Sequence, residues 1–234
     1  MIIEAKKDIR SLSLEDLRKF FTENEDKAFR GNQVYQWLWQ KGIHDFDGMT
    51  NLSIPTRNLL EEHFVINHID IDQQQKSSDG TIKNTVKLHD DLVVESVLIP
   101  PSTRTTACVS SQVGCSLDCK FCATAKIKRM RNLNADEIYD QVVAMDKQSR
   151  LYFDRPLSNI VFMGMGEPLM NYNNLINAID KITKPEALGM SPSRITVSTS
   201  GIPKMIMKMA DDQVRFGLAI SLHSAQQNVR EQLM

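Results

Sequence analysis

From residue 106 onward, apolar runs of strand length alternate with segments that have the apolar spacing of a helix. The strand-like runs cover 106–110, 159–163, 195–199 and 216–221, and each is followed by a helix-like segment, at 135–148, 172–182, 204–210 and 225–233 respectively. Four successive β-then-α units restrict the fold strongly, because parallel strands need a crossover between them and helices on their faces. The pattern predicts an α/β fold with a parallel sheet covered by helices, either open or barrel-like.

The residues before this alternation predict a small helical region. A first short helix begins at a capping-box pattern formed by Ser13 and Asp16 and runs to Phe21. A second begins after Gly31, with Val34, Trp37, Leu38 and Lys41 at helical spacing, and a third has Pro55 in its first turn and an apolar stripe of Leu59, Leu60 and Phe64.

Between the helical region and the alternating units, the pattern predicts a β-hairpin. The polar residues 73–80 are predicted to form a linker or loop, and the apolar runs 81–88 and 92–99 are predicted to form two strands joined at 89–91. The predicted organisation is therefore a helical domain at 1–75, a linker and hairpin at 76–104, and a β/α core at 105–234. We expect that core to be incomplete at its C-terminus, because the last predicted helix stops at Met234 without a Gly, a Pro or a polar tail.

Composition excludes several classes of protein. The 234 residues are 41% hydrophobic and 24% charged, which is typical of a globular protein and not of a disordered one. No apolar stretch approaches the roughly 18 residues of a membrane span, and the start lacks the apolar region of a signal peptide. We therefore expect a cytoplasmic monomer without membrane attachment. The net charge of −1 predicts no global attraction to nucleic acid, so RNA binding would need a local basic patch.

All four cysteines lie within one short window, at Cys108, Cys115, Cys119 and Cys122. Such clustering is unlike a disulfide-stabilised secreted scaffold and favours metal or redox chemistry. The C-x₃-C-x₂-C spacing of the last three suits three corners of a [4Fe–4S] cluster, which leaves one iron open to bind a substrate. The alternative is a zinc site that also uses Cys108, although its spacing is unusual for zinc.

Several motifs carry a resemblance to a known family. The C-x₃-C-x₂-C motif with Phe121 before its last cysteine resembles the signature of the radical S-adenosylmethionine (radical SAM) superfamily. The runs Cys-Val-Ser-Ser-Gln-Val-Gly-Cys at 108–115, Gly-Met-Gly-Glu-Pro at 164–168, Val-Ser-Thr-Ser-Gly at 197–201 and Ser-Leu-His at 221–223 resemble the RlmN/Cfr group of RNA adenine methyltransferases. The N-terminal residues 29–37 are also similar to that group. The resemblance implies a partial (βα) barrel of the radical SAM type.

The resemblance also implies cofactors and their ligands. Cys115, Cys119 and Cys122 would hold a [4Fe–4S] cluster, whose open iron would chelate S-adenosylmethionine and, given one electron from a donor such as flavodoxin or ferredoxin, release a 5′-deoxyadenosyl radical. The residues that the resemblance assigns to S-adenosylmethionine follow three predicted strands and are Gly166, Glu167, Ser198, Ser221, Leu222 and His223. The carboxyl ends of parallel strands are also where such folds place ligands.

Two further residues match catalytic positions of the family. Glu95 matches the proton acceptor. Its predicted strand puts it on the same face as Val93, Val97 and Ile99, where apolar surroundings would disfavour the charged carboxylate. The alternative from the residues alone is an exposed carboxylate on an edge strand. Cys108 matches a redox cysteine that resolves a covalent protein–RNA intermediate by forming a disulfide.

The family's partner for that disulfide is a second cysteine near the C-terminus, which is first methylated. No cysteine follows Cys122 in this sequence. We therefore expect a C-terminally truncated chain, in which residues 1–234 cannot complete a turnover by themselves.

Four cations follow the cysteine motif and are candidates for RNA phosphate contacts: Lys126, Lys128, Arg129 and Arg131. The function implied is methylation of C2 of an adenine in 23S rRNA and in tRNA 3′ of the anticodon. Two alternatives remain open at this point, C8 methylation of the rRNA adenine and a non-catalytic zinc-binding RNA module.

Overall fold

A computed structural model describes residues 6–100 and 103–234, which form two compact units. The first unit comprises the chain up to His68 together with Lys181–Gly189, and the second comprises Ile69–Asp180 together with Met190–Met234. None of the described helices is long and apolar enough to cross a membrane.

The first unit contains three helices and a small parallel pair of strands. In chain order its elements are β1 (Lys7–Asp8), α1 (Leu14–Glu23), α2 (Phe29–Trp39), α3 (Ile54–His63) and β2 (Phe64–Val65), with β1 paired to β2. The capping box is confirmed, because the Ser13 hydroxyl accepts a hydrogen bond from the Asp16 amide and the Asp16 carboxylate accepts one from the Ser13 amide. The start of α3 is confirmed as well, with Ser53 as its N-cap and Pro55 in its first turn.

The second helix differs from its prediction. It begins at Phe29, so Gly31 lies inside it, and it ends at Trp39, before Lys41. A Cβ atom at Gly31 would lie only 2.7 Å from the backbone nitrogen of Arg18, so the glycine permits close packing of α1 on α2 and does not mark a helix start. As a result Trp39 is buried in the core of this unit, whereas Trp37 is only partly buried.

The second unit is built on a sheet of seven described strands. The strands are β3 (Asp70–Lys76), β4 (Ile82–Lys87), β5 (Val93–Ile99), β6 (Thr106–Cys108), β9 (Asn159–Phe162), β10 (Ile195–Thr199) and β11 (Gly217–Ile220), and a separate two-stranded pair consists of β7 (Gln112–Val113) and β8 (Arg131–Asn132). The order across the large sheet is β11-β10-β9-β6-β5-β4-β3. Strands β6, β9, β10 and β11 run parallel to one another. Strands β5, β4 and β3 extend the sheet from β6, and each is antiparallel to its neighbour.

The predicted α/β fold is confirmed. Helices α5 (Tyr172–Thr183), α6 (Pro203–Asp211) and α7 (Gln227–Leu233) follow the parallel strands β9, β10 and β11, and α4 (Ala135–Phe153) follows β6 after the short pair β7 and β8. The predicted hairpin is confirmed as β4 and β5, with Thr85 opposite Glu95.

The prediction of a loop at 73–80 is wrong for residues 73–76, because these residues belong to β3. This strand lies at the edge of the sheet and is almost entirely exposed, so neither of its faces needs apolar residues. Hydrophobic alternation marks a strand only where one face is buried. Strand β3 therefore has no hydrophobic alternation in its sequence, because neither of its faces is buried.

Candidate active site

A cavity of about 300 Å³ lies at the carboxyl ends of β9, β10 and β11. One wall is the loop that carries three cysteines, and the opposite wall is the set of segments that follow the three strands. The described lining residues are Cys115, Leu117, Cys119, Phe121, Cys122, Phe162, Met163, Gly164, Gly166, Glu167, Pro168, Ser198, Thr199, Ser200, Ser221, His223 and Met234. The structure thus brings together residues up to about 120 positions apart in sequence, at the edge where parallel sheets bind ligands.

The thiols of Cys115, Cys119 and Cys122 are free and partly exposed to this cavity. Burial raises the pKa of the Cys119 thiol, and the negative charges of Cys115, Cys122 and Glu167 raise it further. Thiolates this close repel one another unless a cation lies between them, so the donor set fits an iron–sulfur cluster with three protein ligands.

The loop 164–168 forms the rim above β9. Gly166 has φ +93°, and a Cβ atom there would lie 2.5 Å from the Cβ of Gln112. The glycine therefore lets the backbone pack closely on Gln112 as well as line the cavity. Glu167 is buried, and its carboxylate accepts hydrogen bonds from the backbone amides of Leu169 at 3.0 Å and Ser200 at 2.8 Å. Each carboxylate oxygen can accept more than one bond, so a ligand donor in the cavity can still be bound.

Ser198, Ser221 and His223 line the cavity from the ends of β10 and β11. The His223 ring packs against the ring of Phe121 in a tilted arrangement, with centroids 3.8 Å apart and 39° between the planes, which joins this rim to the cysteine loop. Leu222 does not belong to the lining set above, and its side chain is exposed. The side chain of Leu222 is therefore exposed to solvent, whereas Ser221 and His223 line the cavity.

Two rim residues were not anticipated from the sequence. Ser200 lines the cavity and lies in the same Ser-Thr-Ser-Gly run as Ser198, so the motif itself contained the signal. Arg230 on α7 donates hydrogen bonds to the carbonyl oxygens of Ser200 and Ser221, which ties the ends of β10 and β11 together. No sequence motif marks Arg230.

Comparison with known proteins agrees with this geometry. Residues 109–233 match the family described as the radical SAM superfamily, and residues 7–66 match the ribosomal RNA large subunit methyltransferase N-terminal domain. The chain belongs to the radical SAM superfamily. Members of this superfamily use a [4Fe–4S] cluster and S-adenosylmethionine, so the predicted cofactors of the family are confirmed.

Bacterial proteins named RlmN are similar to this chain over nearly its whole length. It is 71% identical over 231 residues to a protein of Christiangramia forsetii, and 71% identical over 229 residues to one of Flavobacterium psychrophilum, both named probable dual-specificity RNA methyltransferase RlmN. These matches cover 99% and 98% of this chain and 66% of each relative, so the chain spans slightly less than two thirds of their length.

A solved structure extends the comparison to the fold. The crystal structure of a radical SAM methyltransferase from Sphaerobacter thermophilus superposes with a TM-score of 0.88 at 34% identity. The match covers 97% of this chain and 67% of that one.

Within this radical SAM fold, Glu95 is not where the apolar-face argument expects it. Val94, Ser96 and Leu98 form the buried face of β5, so Glu95 lies on the more exposed face. Its side chain is 49% exposed and forms an ion pair with Lys83 at 3.0 Å. The argument from apolar surroundings is therefore wrong, because period-2 alternation shows which residues share a face but not which face the protein covers.

The backbone of Glu95 is nevertheless connected to the rim of the cavity. The hydroxyl of Ser110 donates to the carbonyl oxygen of Glu95 at 2.6 Å and accepts from the amide of Met165 at 2.8 Å. The amide of Glu95 also contacts the sulfur of Met165 at 3.3 Å. Glu95 lies outside the lining set given above.

Cys108 lies on β6, apart from the three cysteines of the loop. Burial raises the pKa of its thiol, and a hydrogen bond from the backbone of Met163 acts in the opposite direction. In the described part of the chain, no group of three or more His, Cys, Asp or Glu side chains converges on a single metal ion. This holds for the three loop cysteines as well as for Cys108, so it does not distinguish the iron–sulfur cluster from the four-cysteine zinc site.

The four predicted RNA cations divide into two kinds. Lys126, Lys128 and Arg129 are exposed. Arg131 instead makes two hydrogen bonds, at 2.7 and 2.8 Å, to the buried carboxylate of Glu137 and one at 2.6 Å to Asp90. The guanidinium of Arg131 is thus held in a structural ion-pair network that the spacing of charges along the sequence does not show, and its contact with RNA phosphate stays a prediction.

Proposed function

We propose that this protein is a radical SAM methyltransferase that acts on RNA and methylates C2 of an adenine, in 23S rRNA and in tRNA 3′ of the anticodon. The observation that carries the proposal is the convergence of Cys115, Cys119 and Cys122 with Glu167 and His223 on one cavity. The names of the relatives and the match of residues 7–66 to a ribosomal RNA methyltransferase domain support RNA as the substrate.

The chemistry of adenine C2 explains why such an enzyme would use this cavity. C2 lies between two ring nitrogens and is electron-poor, so it does not attack the methyl group of S-adenosylmethionine by simple displacement. When bound, the cluster supplies one-electron reduction of S-adenosylmethionine, and the protein supplies binding, orientation and exclusion of competing reactions.

The residues of the chain then have separate tasks. Cys115, Cys119 and Cys122 hold the cluster. The polar groups at the strand ends hold S-adenosylmethionine beside it: Gly166, Glu167, Ser198, Ser221 and His223, with the backbone at Leu222 between the last two.

The remaining steps use groups outside the cavity lining. Glu95, which is half-exposed and beside Lys83, accepts the proton from the adenine ring. The thiolate of Cys108 attacks the sulfur of a second cysteine, absent from residues 1–234, that is joined to the adenine through a methylene carbon. The S–S bond forms as the S–C bond breaks, and the released carbon takes up a proton to become the methyl group.

RNA is positioned by its phosphates. Lys126, Lys128 and Arg129 are exposed directly after the cysteine loop and are the candidates for these contacts, because cations bind the backbone without reading the sequence. The target adenine must leave its stack to reach the cavity. We further propose that the protein works as a cytoplasmic monomer that receives electrons from a donor such as flavodoxin or ferredoxin.

The test is anaerobic reconstitution of the full-length protein, followed by nucleoside mass spectrometry of 23S rRNA fragments and tRNA transcripts. We expect a brown protein with iron and sulfide that forms 2-methyladenosine. Formation of 8-methyladenosine would instead support the C8 alternative, and a colourless protein that contains zinc and forms no methylated adenine would overturn the proposal.

Matched cysteine variants sharpen the test. Cys119→Ser should lose iron and methylation together, because it removes a cluster ligand. Cys108→Ser should keep its iron and lose only turnover, because Cys108 lies on β6 and outside the lining set, whereas the proposed cluster ligands lie on the cysteine loop. Loss of iron in both variants would contradict the separate roles.

A further inference from the structure

Gln112 is a fully buried amide at the start of β7, and both ends of its side chain are hydrogen-bonded. Its Oε1 accepts from the backbone amide of Glu167 at 2.9 Å, and its Nε2 donates to Oδ1 of Asn132 at 2.8 Å. Gln112 does not belong to the lining set of the cavity. Any effect that it has on a ligand must therefore pass through other residues.

The contact between Gln112 and the rim loop leaves no spare room. A Cβ atom at Gly166 would lie 2.5 Å from the Cβ and 2.7 Å from the Cγ of Gln112, and the Gln112 amide donates to the carbonyl oxygen of Met165 at 3.2 Å. The backbone of residues 165–167 therefore lies directly on this side chain. Moving or shortening the side chain removes the support beneath Gly166 and Glu167.

Glu167 extends this support to the next strand. Its amide is held by Gln112, and its carboxylate accepts from the amides of Leu169 and Ser200. Ser200 follows β10 and lines the cavity together with Glu167. A single buried amide thus supports the segments after both β9 and β10.

We propose that Gln112 is a positioning residue for the cofactor-binding rim, which sets the place of Glu167 and, through its carboxylate, of Ser200. This inference rests on the proposed function, because it takes the rim to be the binding site for S-adenosylmethionine. Because Gln112 lies outside the lining set, its proposed effect on the cofactor passes through the position of Glu167.

A second buried glutamine provides a matched control. Gln148 on α4 exchanges two hydrogen bonds with Asn84, both of 2.9 Å, and lies outside the lining set. Gln112→Met and Gln148→Met each remove a buried amide of the same size, so both should lower the unfolding temperature. Only the first removes support from the rim.

The first measurement is the dissociation constant of S-adenosylmethionine, by anaerobic equilibrium dialysis against the iron-loaded full-length protein. We expect Gln112→Met to weaken binding about tenfold at unchanged iron content, and Gln148→Met to bind as the unaltered protein does. Equal affinities for Gln112→Met and the unaltered protein, or equal weakening by both variants, overturn this inference alone. Failure of the unaltered protein to bind overturns the proposed function and this inference with it.

The second measurement is hydrogen exchange of the protein without cofactor. In Gln112→Met, peptides that cover 164–170 and 198–202 should exchange faster, while peptides of α4 keep their rates. In Gln148→Met, the change should fall on α4 instead. Unchanged exchange at 198–202 in Gln112→Met would overturn the relay through Glu167.

Discussion

Two carboxylates of the candidate site lie in opposite surroundings. Glu167 is buried, with both oxygens bonded to backbone amides, and Glu95 is half-exposed beside Lys83. The motif around Glu167 was sufficient to place it at the end of β9. The place of Glu95 on an exposed face depends on what covers the sheet, which is a property of distant segments.

The exposure of Glu95 leads to a prediction that separates chemistry from stability. Because an exposed ion pair contributes about 0–1 kcal/mol, Glu95→Gln should leave the free energy of unfolding nearly unchanged and abolish adenine methylation in the full-length protein. The control is Asp91→Asn, which breaks an exposed pair with Lys87 of 2.7 Å and should keep methylation. Urea unfolding and nucleoside mass spectrometry measure the two effects. Normal methylation by Glu95→Gln would remove the proton-acceptor role.

Asp90 leads to a prediction about pH. A hydrogen bond from the Arg131 guanidinium holds the pKa of Asp90 below its usual value, so this ion pair adds stability that is present above about pH 4 and is lost as the pH falls through the lowered pKa. The difference in unfolding free energy between the unaltered protein and Asp90→Asn should therefore be constant near pH 6–7 and shrink below about pH 4. Urea unfolding across pH 3–7 measures it, and a difference that persists unchanged to pH 3 would contradict the assignment.

At the level of secondary-structure elements, the segment 110–112 packs against the loop 164–167 and accepts hydrogen bonds from it. Ser110 and Gln112 point to the same side, and each gives one acceptor to a loop amide and touches one loop glycine. A Cβ atom at Gly164 would lie 2.7 Å from the hydroxyl of Ser110. The two glycines of this motif therefore allow close packing against the segment 110–112, as well as close approach of a ligand.

Replacement of Gly166 tests this packing. Gly166→Ala should cost about 2–4 kcal/mol, because it adds a collision with Gln112 to the strain of a residue at φ +93°. Gly80→Ala is the matched control, since Gly80 has a similar φ of +88° but the nearest atoms to an added Cβ are 3.6 Å away. Only the strain, about 1 kcal/mol, should appear there. Equal losses in urea unfolding would show that collision contributes nothing.

At the scale of the whole molecule, charge gives no general attraction to RNA. With 28 basic and 29 acidic residues, binding must come from local groups, and in the second unit Lys126, Lys128 and Arg129 supply three exposed cations in four positions. Arg131, the next cation along the chain, instead stabilises the fold through Glu137.

The joint replacement of Lys126, Lys128 and Arg129 by Ala should weaken RNA binding and leave the unfolding temperature unchanged. If each cation contacts one phosphate, the slope of log affinity against log salt should decrease by about two. Replacement of Lys87, Lys147 and Arg150, which are also exposed, is the control and should leave the slope as it is. Filter binding to tRNA across salt concentrations measures both, and an unchanged slope in the first variant would rule out these phosphate contacts.

The class of fold and the chemistry of the cysteine loop follow from the amino-acid sequence alone. Strand-length and helix-length periodicities are local properties, so the four β/α units, the hairpin and the capping box at Ser13 could all be read from neighbouring residues. Cys115, Cys119 and Cys122 also lie close together in the sequence, so their spacing can indicate a cluster site without knowledge of the rest of the fold.

Which surfaces are covered, and which side chains already have partners, depends on tertiary contacts. The exposed edge position made β3 a strand without apolar alternation, and the buried face of β5 put Glu95 on the other side. Glu137 engaged Arg131, and Gln112 became the support of the rim. Each of these outcomes depends on contacts between segments far apart in the chain, and burial and pairing are properties of those contacts rather than of local sequence.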